Sequence, residues 1–166
     1  MTFQRRRKTF AEKPEFEQKL VEVKRVTRVT AGGKQLRFRS VVVIGNRKGK
    51  VGYGIGKGKD VADSVQKAVR QAEKKLISPL IIDETIPYPT RQHYKASYVL
   101  LRPAKKGRGI IAGGVMKIVL DLLGLSNVTG KILGSKNKLN NIRATFKALE
   151  EFAQVSTDKK IINTKS

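Results

Sequence analysis

The chain has no cysteine, no tryptophan and a single histidine, and it is poor in acids, with 13 Asp and Glu against 36 Lys and Arg in 166 residues. Each shortage removes a class of function. Without cysteine there are no disulfides, no thiolate zinc sites and no cysteine nucleophile. His93 stands alone between Gln92 and Tyr94 and cannot build a His-rich metal centre. Asp83-Glu84 and Glu150-Glu151 are adjacent pairs, which a strand or helix turns in different directions. Carboxylate-pair catalysis needs convergence instead. No apolar run approaches the roughly 18 residues of a membrane-spanning helix. Aromatic residues make up 6% of the chain and fall mostly at core positions, so the core is expected to be aliphatic and base-stacking platforms are not indicated.

What remains in excess is positive charge, a formal +23. Self-repulsion of that size disfavours a compact state unless a polyanion neutralises it. A nucleic acid is the leading partner, because each phosphate neutralised by Lys or Arg also releases counterions. An anionic membrane surface is the rival, but no basic amphipathic helix carries large apolar anchors. At 39% hydrophobic the chain can bury a core. The basic N-terminus has no apolar stretch behind it, so no secretory signal is expected.

The pattern along the chain predicts an α+β protein: a β-β-β-α unit followed by a small two-layer α/β unit. Residues 1–18 read as a basic arm headed by Arg5-Arg6-Arg7-Lys8, 19–82 as the first unit, 83–154 as the second and 155–166 as a polar tail. From Leu20 a period of two places Val21, Val23, Thr27 and Val29 on one face, interrupted by Arg25. After the turn Ala31-Gly32-Gly33-Lys34, a second strand puts Leu36, Phe38, Val42 and Ile44 together and Arg37 and Arg39 opposite. A third strand alternates Val51, Tyr53 and Ile55 with Gly52, Gly54 and Gly56. Those glycines either let a helix pack closely, the favoured reading, or let an outside backbone approach. Asp60 is expected to cap a helix to about Leu76, with Val61, Val65, Ala68, Val69, Ala72 and Leu76 as its apolar stripe. In the second unit, Tyr94 to Leu101 reads as a strand with Tyr94, Ala96, Tyr98 and Leu100 on one face. A buried helix over 115–123 stopped by Gly124, a strand over 127–133 and a final amphipathic helix carrying Leu139, Ile142, Phe146 and Leu149 complete it.

The glycine clusters fail as nucleotide motifs. A dinucleotide fingerprint needs glycine where Lys59 stands, and a phosphate-binding Walker loop needs glycine where Val51 stands. The nearest nucleophile-elbow segment, Gly124-Leu-Ser126-Asn-Val128, lacks its last glycine. Basic residues, by contrast, gather at loops: Lys34, then Arg47, Lys48 and Lys50, then Lys57 and Lys59 before a helix start, which is a ready phosphate seat. Two basic loops and a helix start form a three-point phosphate grip of the kind double-stranded-RNA modules use, reading shape. Lys105-Lys106-Gly107-Arg108-Gly109 precedes the buried helix and suits either an RNA phosphate or tight packing of the helix start. A phosphate-handling enzyme is the weaker alternative, because no catalytic partner accompanies the loop.

Five segments in order, Val26-Thr-Arg-Val-Thr-Ala-Gly-Gly-Lys, Arg37-Phe-Arg-Ser-Val-Val-Val-Ile-Gly, Gly49-Lys-Val-Gly-Tyr-Gly-Ile-Gly-Lys, Gly107-Arg-Gly-Ile-Ile-Ala-Gly-Gly and Leu139-Asn-Asn-Ile-Arg-Ala-Thr, resemble small-subunit ribosomal protein five of the bacterial type. The resemblance spans roughly residues 16–151. It implies a double-stranded-RNA-binding-like N-terminal domain, an α/β C-terminal domain, and no enzyme activity or cofactor. It implies binding to small-subunit ribosomal RNA, contact with the fourth and eighth small-subunit proteins, and a place near messenger RNA entry with a role in decoding accuracy. The turn containing Gly32, Gly33 and Lys34 matches the family loop that reaches RNA. Together with the loop clusters, the expected RNA contacts are Arg25, Arg28, Gly32, Gly33, Lys34, Arg37, Arg39, Arg47, Lys48, Lys50, Lys57, Lys59, Lys105, Lys106 and Arg108. Gly33-Lys-Gln-Leu and Leu139-Asn-Asn resemble the cyanobacterial and plastid branch, which implies ribosomes of a plastid stroma or a bacterial cytoplasm. A free-standing double-stranded-RNA binder or RNA chaperone is the alternative that the residues alone leave open.

Overall fold

The structure is a computed structural model that describes residues 15–163, with side chains described to residue 153. The Arg5–Lys8 arm lies outside the described residues. Strands β1 (Glu17–Thr30), β2 (Gly33–Gly45) and β3 (Val51–Gly58) form an antiparallel meander, and helix α1 (Val61–Glu73) packs on one face. The two-residue β4 (Leu76–Ile77) extends the sheet beyond β3. The second sheet has the order β5-β6-β8-β7, from β5 (Thr90–Tyr94), β6 (Ser97–Pro103), β7 (Ile110–Ile111) and β8 (Val128–Gly134). Its β7–β8 pair is parallel and the others antiparallel. Helices α2 (Gly114–Leu123) and α3 (Lys138–Asn163) supply the rest of that layer. This is the α+β arrangement that the sequence predicts.

The glycines of β3 serve packing. A β-carbon on Gly54 or Gly56 would run into the carbonyl oxygens of Ala68 and Ser64, and one on Gly52 would stand 2.6 Å from that of Ala72. Helix α1 therefore lies directly on the backbone of β3, with Ala68 and Ala72 fully buried in the seam. Val42 and Ile44 of β2 complete this small core.

The opposite face of the first sheet is also buried, which the alternation in β2 does not announce. Val41 and Val43 belong to one hydrophobic cluster with Leu120, Leu122 and Leu123 of α2 and Phe146 and Phe152 of α3. Tyr53 meets Phe146 edge-to-face at 4.6 Å between ring centres. Each buried valine contributes about 1.5–2 kcal/mol, so the back of the meander is a load shared with the second unit.

Several local expectations change. The register of β1 against β2 slips between Leu20 and Glu22. This bulge puts Val21 with the large cluster, while Val23 follows the α1 side, so the two do not share a face. Asp60 occupies the N-cap position with extended backbone, but its side chain makes no capping hydrogen bond. The helix ends at Glu73, and Leu76 pairs with Gly52 as a strand residue. Tyr94 to Leu101 is not one strand: a tight turn at Lys95 (φ 53°) and Ala96 separates β5 from β6. The buried face of β6 carries Ser97, Val99 and Leu101, leaving Tyr98 41% exposed.

The two sheets are joined at the end of α2. Gly124 stops that helix in the left-handed region at φ 93°. The carbonyls of Leu122 and Leu123, orphaned at the helix end, accept the N–H groups of Arg47 and Gly49, each at 2.9 Å. Lys19 donates to Asp121 at 2.6 Å, and Arg47 reaches both Glu17 at 3.0 Å and Asp121 at 3.9 Å. The Lys19 hydrogen bond holds the Asp121 carboxyl below its ordinary range, with the charges of Lys19, Arg47 and Lys117 adding to it and desolvation opposing. A depressed folded value contributes stability above the unfolded value, about pH 3.9, and that contribution is lost as the pH falls through the folded value. Asp121→Asn is expected to lower the melting temperature at neutral pH and to flatten its fall on acidification below about pH 4, followed by thermal melts across the acid range.

Candidate nucleic-acid interface

The hairpin of β1 and β2 extends past the core, and its distal half is exposed on both faces, with Val29 at 73% and Leu36 at 54% on one side and Arg28, Gln35 and Arg37 exposed on the other. Residues directly opposite in an antiparallel pair point to the same side. Glu22 lies opposite Val41, Lys24 opposite Arg39, Val26 opposite Arg37, and Arg28 opposite Gln35. Across the next pair, Arg39 lies opposite Lys57. Lys24, Arg28, Arg37, Arg39 and Lys57 therefore share one face, the one that nearer the core buries Val41 and Val43. Side chains two apart on a strand stand about 6.8 Å apart, and strands about 4.8 Å, so this is a lattice of cations. Arg28, Arg37 and Lys57 line a shallow cleft of about 260 Å³ with Val26, Thr27 and Gln35.

The other expected contacts fall elsewhere. Arg25 (opposite Phe38) and Lys34 (opposite Val29) lie on the α1 side of the hairpin. Gly32 and Gly33 form its tip, where Gly33 has φ 127° and Thr30 donates its hydroxyl to the Gly33 carbonyl at 2.9 Å. Arg39 is half-buried and 3.6 Å from Glu22. Arg47 is committed to Glu17 and to the α2 end, so a phosphate there competes with existing partners. Lys48 and Lys50 are exposed, on a loop pinned by Asn46, whose Oδ1 accepts both their N–H groups at 2.8 and 3.0 Å. Lys59 is exposed beside α1, but an acid already sits at that helix start. Asp63 accepts from Lys67 at 2.7 Å, and chiefly for that reason its carboxyl is held below its ordinary range. The phosphate seat expected there is thus shared with a resident carboxylate.

A further basic row was legible only as the wet side of a helix. Lys67, Arg70, Lys74 and Lys75 line a cleft of about 470 Å³ with Ile55 and Gln71. Gln71 accepts the Ile55 N–H at 2.7 Å, across the part of the β3 edge that β4 leaves uncovered. Ile55 and Lys57 are two apart on β3, so the hairpin cleft and the helix row adjoin. Acids gather at the far end instead, where Glu15, Glu17 and Glu73 rim a groove beside Phe16.

In the second unit, Lys105, Lys106 and Arg108 are exposed on a turn held from beneath. Gly107 (φ 89°) and Gly109 (φ 77°) each donate an N–H to Oδ1 of Asn127, at 2.9 and 3.2 Å. Asn127 is 3% exposed, and nothing lies within 4 Å of where either glycine would carry a side chain. The open space argues against tight packing of this loop and for presentation of its cations. Asn127→Ala leaves two N–H groups without their acceptor, a cost of about 1–3 kcal/mol. Amide hydrogen exchange at Gly107 and Gly109 is expected to accelerate at least tenfold, with α1 amides unchanged.

No group of His, Asp and Glu among the described residues could hold a metal ion, and no described helix is long and apolar enough to cross a membrane. Family models match nearly the whole described chain: ribosomal protein S5, N-terminal domain, over residues 16–78, and ribosomal protein S5, C-terminal domain, over residues 92–161. The small ribosomal subunit protein uS5c of Spinacia oleracea is 46% identical over 150 residues, covering 88% of this chain and 49% of its own length. The chain thus spans about half the length of that relative. The uS5 protein of Synechococcus elongatus is 47% identical over 136 residues, covering 81% of this chain and 76% of its own. The uS5c protein of Cyanophora paradoxa is 42% identical over 163 residues, with 96% of both chains covered. The chain belongs to the ribosomal protein S5 family in its plastid and bacterial form, a structural protein of the small ribosomal subunit and not an enzyme.

Proposed function

We propose that the protein clamps ribosomal RNA by laying the cationic face of its long hairpin against a helical segment. The observation that carries this reading is the convergence of Arg28, Arg37 and Lys57 on one cleft, with Lys24 and Arg39 on the same face. The helix row of Arg70, Lys74 and Lys75 extends the grip around the β3 edge, and Gly32, Gly33 and Lys34 reach ahead of it. Phosphate contacts of this kind position a protein without reading sequence. The second unit meets the fourth and eighth small-subunit proteins around Gly107 to Gly114, while Lys105, Lys106 and Arg108 offer their charges to ribosomal RNA. From that position the protein supports messenger RNA entry and decoding accuracy. Cells carrying Arg28→Ala, Arg37→Ala and Lys57→Ala together provide the test. The variant is expected to leave the small-subunit fraction on a salt-washed gradient and to be found as free protein. Full co-sedimentation would remove the clamp.

A further inference from the structure

The second sheet has an outer face that the first unit's interface does not use. Its inner face carries Val99, Leu101 and Val128 into the core under α2 and α3. The register lines up the outward residues: His93 opposite Tyr98, Arg91 opposite Leu100, Leu100 opposite Lys131, and Arg102 opposite Thr129. None of these positions holds an acid. Tyr98 stands on the central strand β6, stacked on His93 at 5.5 Å between ring centres, with the Arg91 guanidinium 5.8 Å from its ring. Further along β6 and across to β8, Arg102 and Lys131 line a cleft of about 230 Å³ with Leu100 and Thr129. Leu133, opposite Tyr98, is 42% exposed.

We propose that this face is a second RNA-binding surface, specific for an unpaired strand. Cations beside one another with no acid among them favour an anionic partner. A duplex hides the faces of its bases and offers mainly phosphate and ribose, which would leave Tyr98, Leu100 and Leu133 against nothing they can dehydrate. An unpaired strand offers both chemistries at once, phosphates to the cation rim and base faces to the aromatic and aliphatic centre. The hairpin face differs in kind, since its cleft has cations and no exposed ring. The protein thus presents one surface to helical RNA and another to a single strand.

The experiment titrates the full chain with two fluorescent probes, a mixed-sequence single strand of about 10 nucleotides and an RNA duplex of about 16 base pairs. Arg102→Glu with Lys131→Glu, and separately Tyr98→Leu, are expected to weaken single-strand binding roughly tenfold, about 1.4 kcal/mol, and to leave duplex affinity within about twofold. Arg102→Gln with Lys131→Gln repeats the test without reversed charge, and circular dichroism confirms each fold. Unchanged single-strand affinity in these variants would overturn the proposal. So would an equal loss for both probes, which would mean that the face contributes only general charge. Cross-linking of this face in intact particles to a protein and not to RNA would likewise overturn it. Loss of duplex binding in Arg28→Ala, Arg37→Ala, Lys57→Ala bears on the hairpin clamp alone.

Discussion

Gly54→Ala is expected to cost about 3 kcal/mol of stability, the upper end of the range for overpacking a core. The added methyl would meet the Ala68 carbonyl oxygen and lie 2.7 Å from the Ala72 nitrogen. Both obstacles are backbone of α1, so no side chain can rotate away. The helix must lift from the sheet, and lifting it exposes Ala68, Ala72, Val42 and Ile44, the whole of the small core on that face. Gly56→Ala meets the same obstacle one turn earlier, at Ser64 and Ala68, and also disturbs the buried hydroxyl pair of Ser40 and Ser64 at 2.5 Å. For a chain of this size, 3 kcal/mol corresponds to a melting temperature lower by about 6–12 °C. Gly32→Ala is the matched control. Nothing lies within 4 Å of its added carbon, and its effect is expected to stay within about 0.5 kcal/mol. Thermal melts of the three variants measure the contrast.

Removing the charges of Arg28, Arg37 and Lys57 together is expected to have the largest effect on RNA. If each neutralises one duplex phosphate, the slope of log affinity against log salt falls by about 2.7 for the three. Carried to 0.1 M salt, that slope corresponds to a loss of a few hundred-fold in affinity. The fold is expected to survive, since Arg28 and Arg37 stand on the exposed half of the hairpin, Lys57 is exposed at the end of β3, and none makes an ion pair among the described residues. Arg39→Ala is the instructive comparison. It also removes one of the two cations beside Glu22, whose side chain is 11% exposed and which keeps Lys24 at 3.4 Å, so stability and affinity are expected to fall together. A triple variant that binds duplex RNA with an unchanged salt slope would show that phosphates lie elsewhere.

Much of this was legible in the sequence because it is local. The alternation of glycine with Val51, Tyr53 and Ile55 leaves one face of a strand bare, and a following helix with small residues at Ala68 and Ala72 is the natural cover. The left-handed stop at Gly124 and the hairpin tip follow from glycine chemistry in the same way. The parts that were not legible are long-range. Val41 and Val43 look like the solvent side of an alternating strand until a second unit covers them. Arg47 reads as a free cation in a basic loop, but its N–H closes the end of a helix far away in sequence and its guanidinium binds Glu17. Asp63 reads as one helix residue among many, yet it sits where a phosphate was expected. The alternation puts Tyr98 on one face with Tyr94, but the turn at Lys95 sets Tyr94 opposite Ser97 instead, and a shift of one residue in a strand exchanges its faces. The expected contacts also divide by position. Arg28, Arg37 and Lys57 share a cleft, while Arg39 and Arg47 are engaged with acids of the fold.

The cationic hairpin face is predicted to be buried against RNA in the assembled subunit. Amine-reactive labelling of lysines in intact small subunits, compared with the free protein, tests it most directly. Lys24 and Lys57 on that face are predicted to be labelled at least tenfold more slowly in the particle. Labelling of Lys24 and Lys57 at the same rate in the particle as in the free protein would contradict the account.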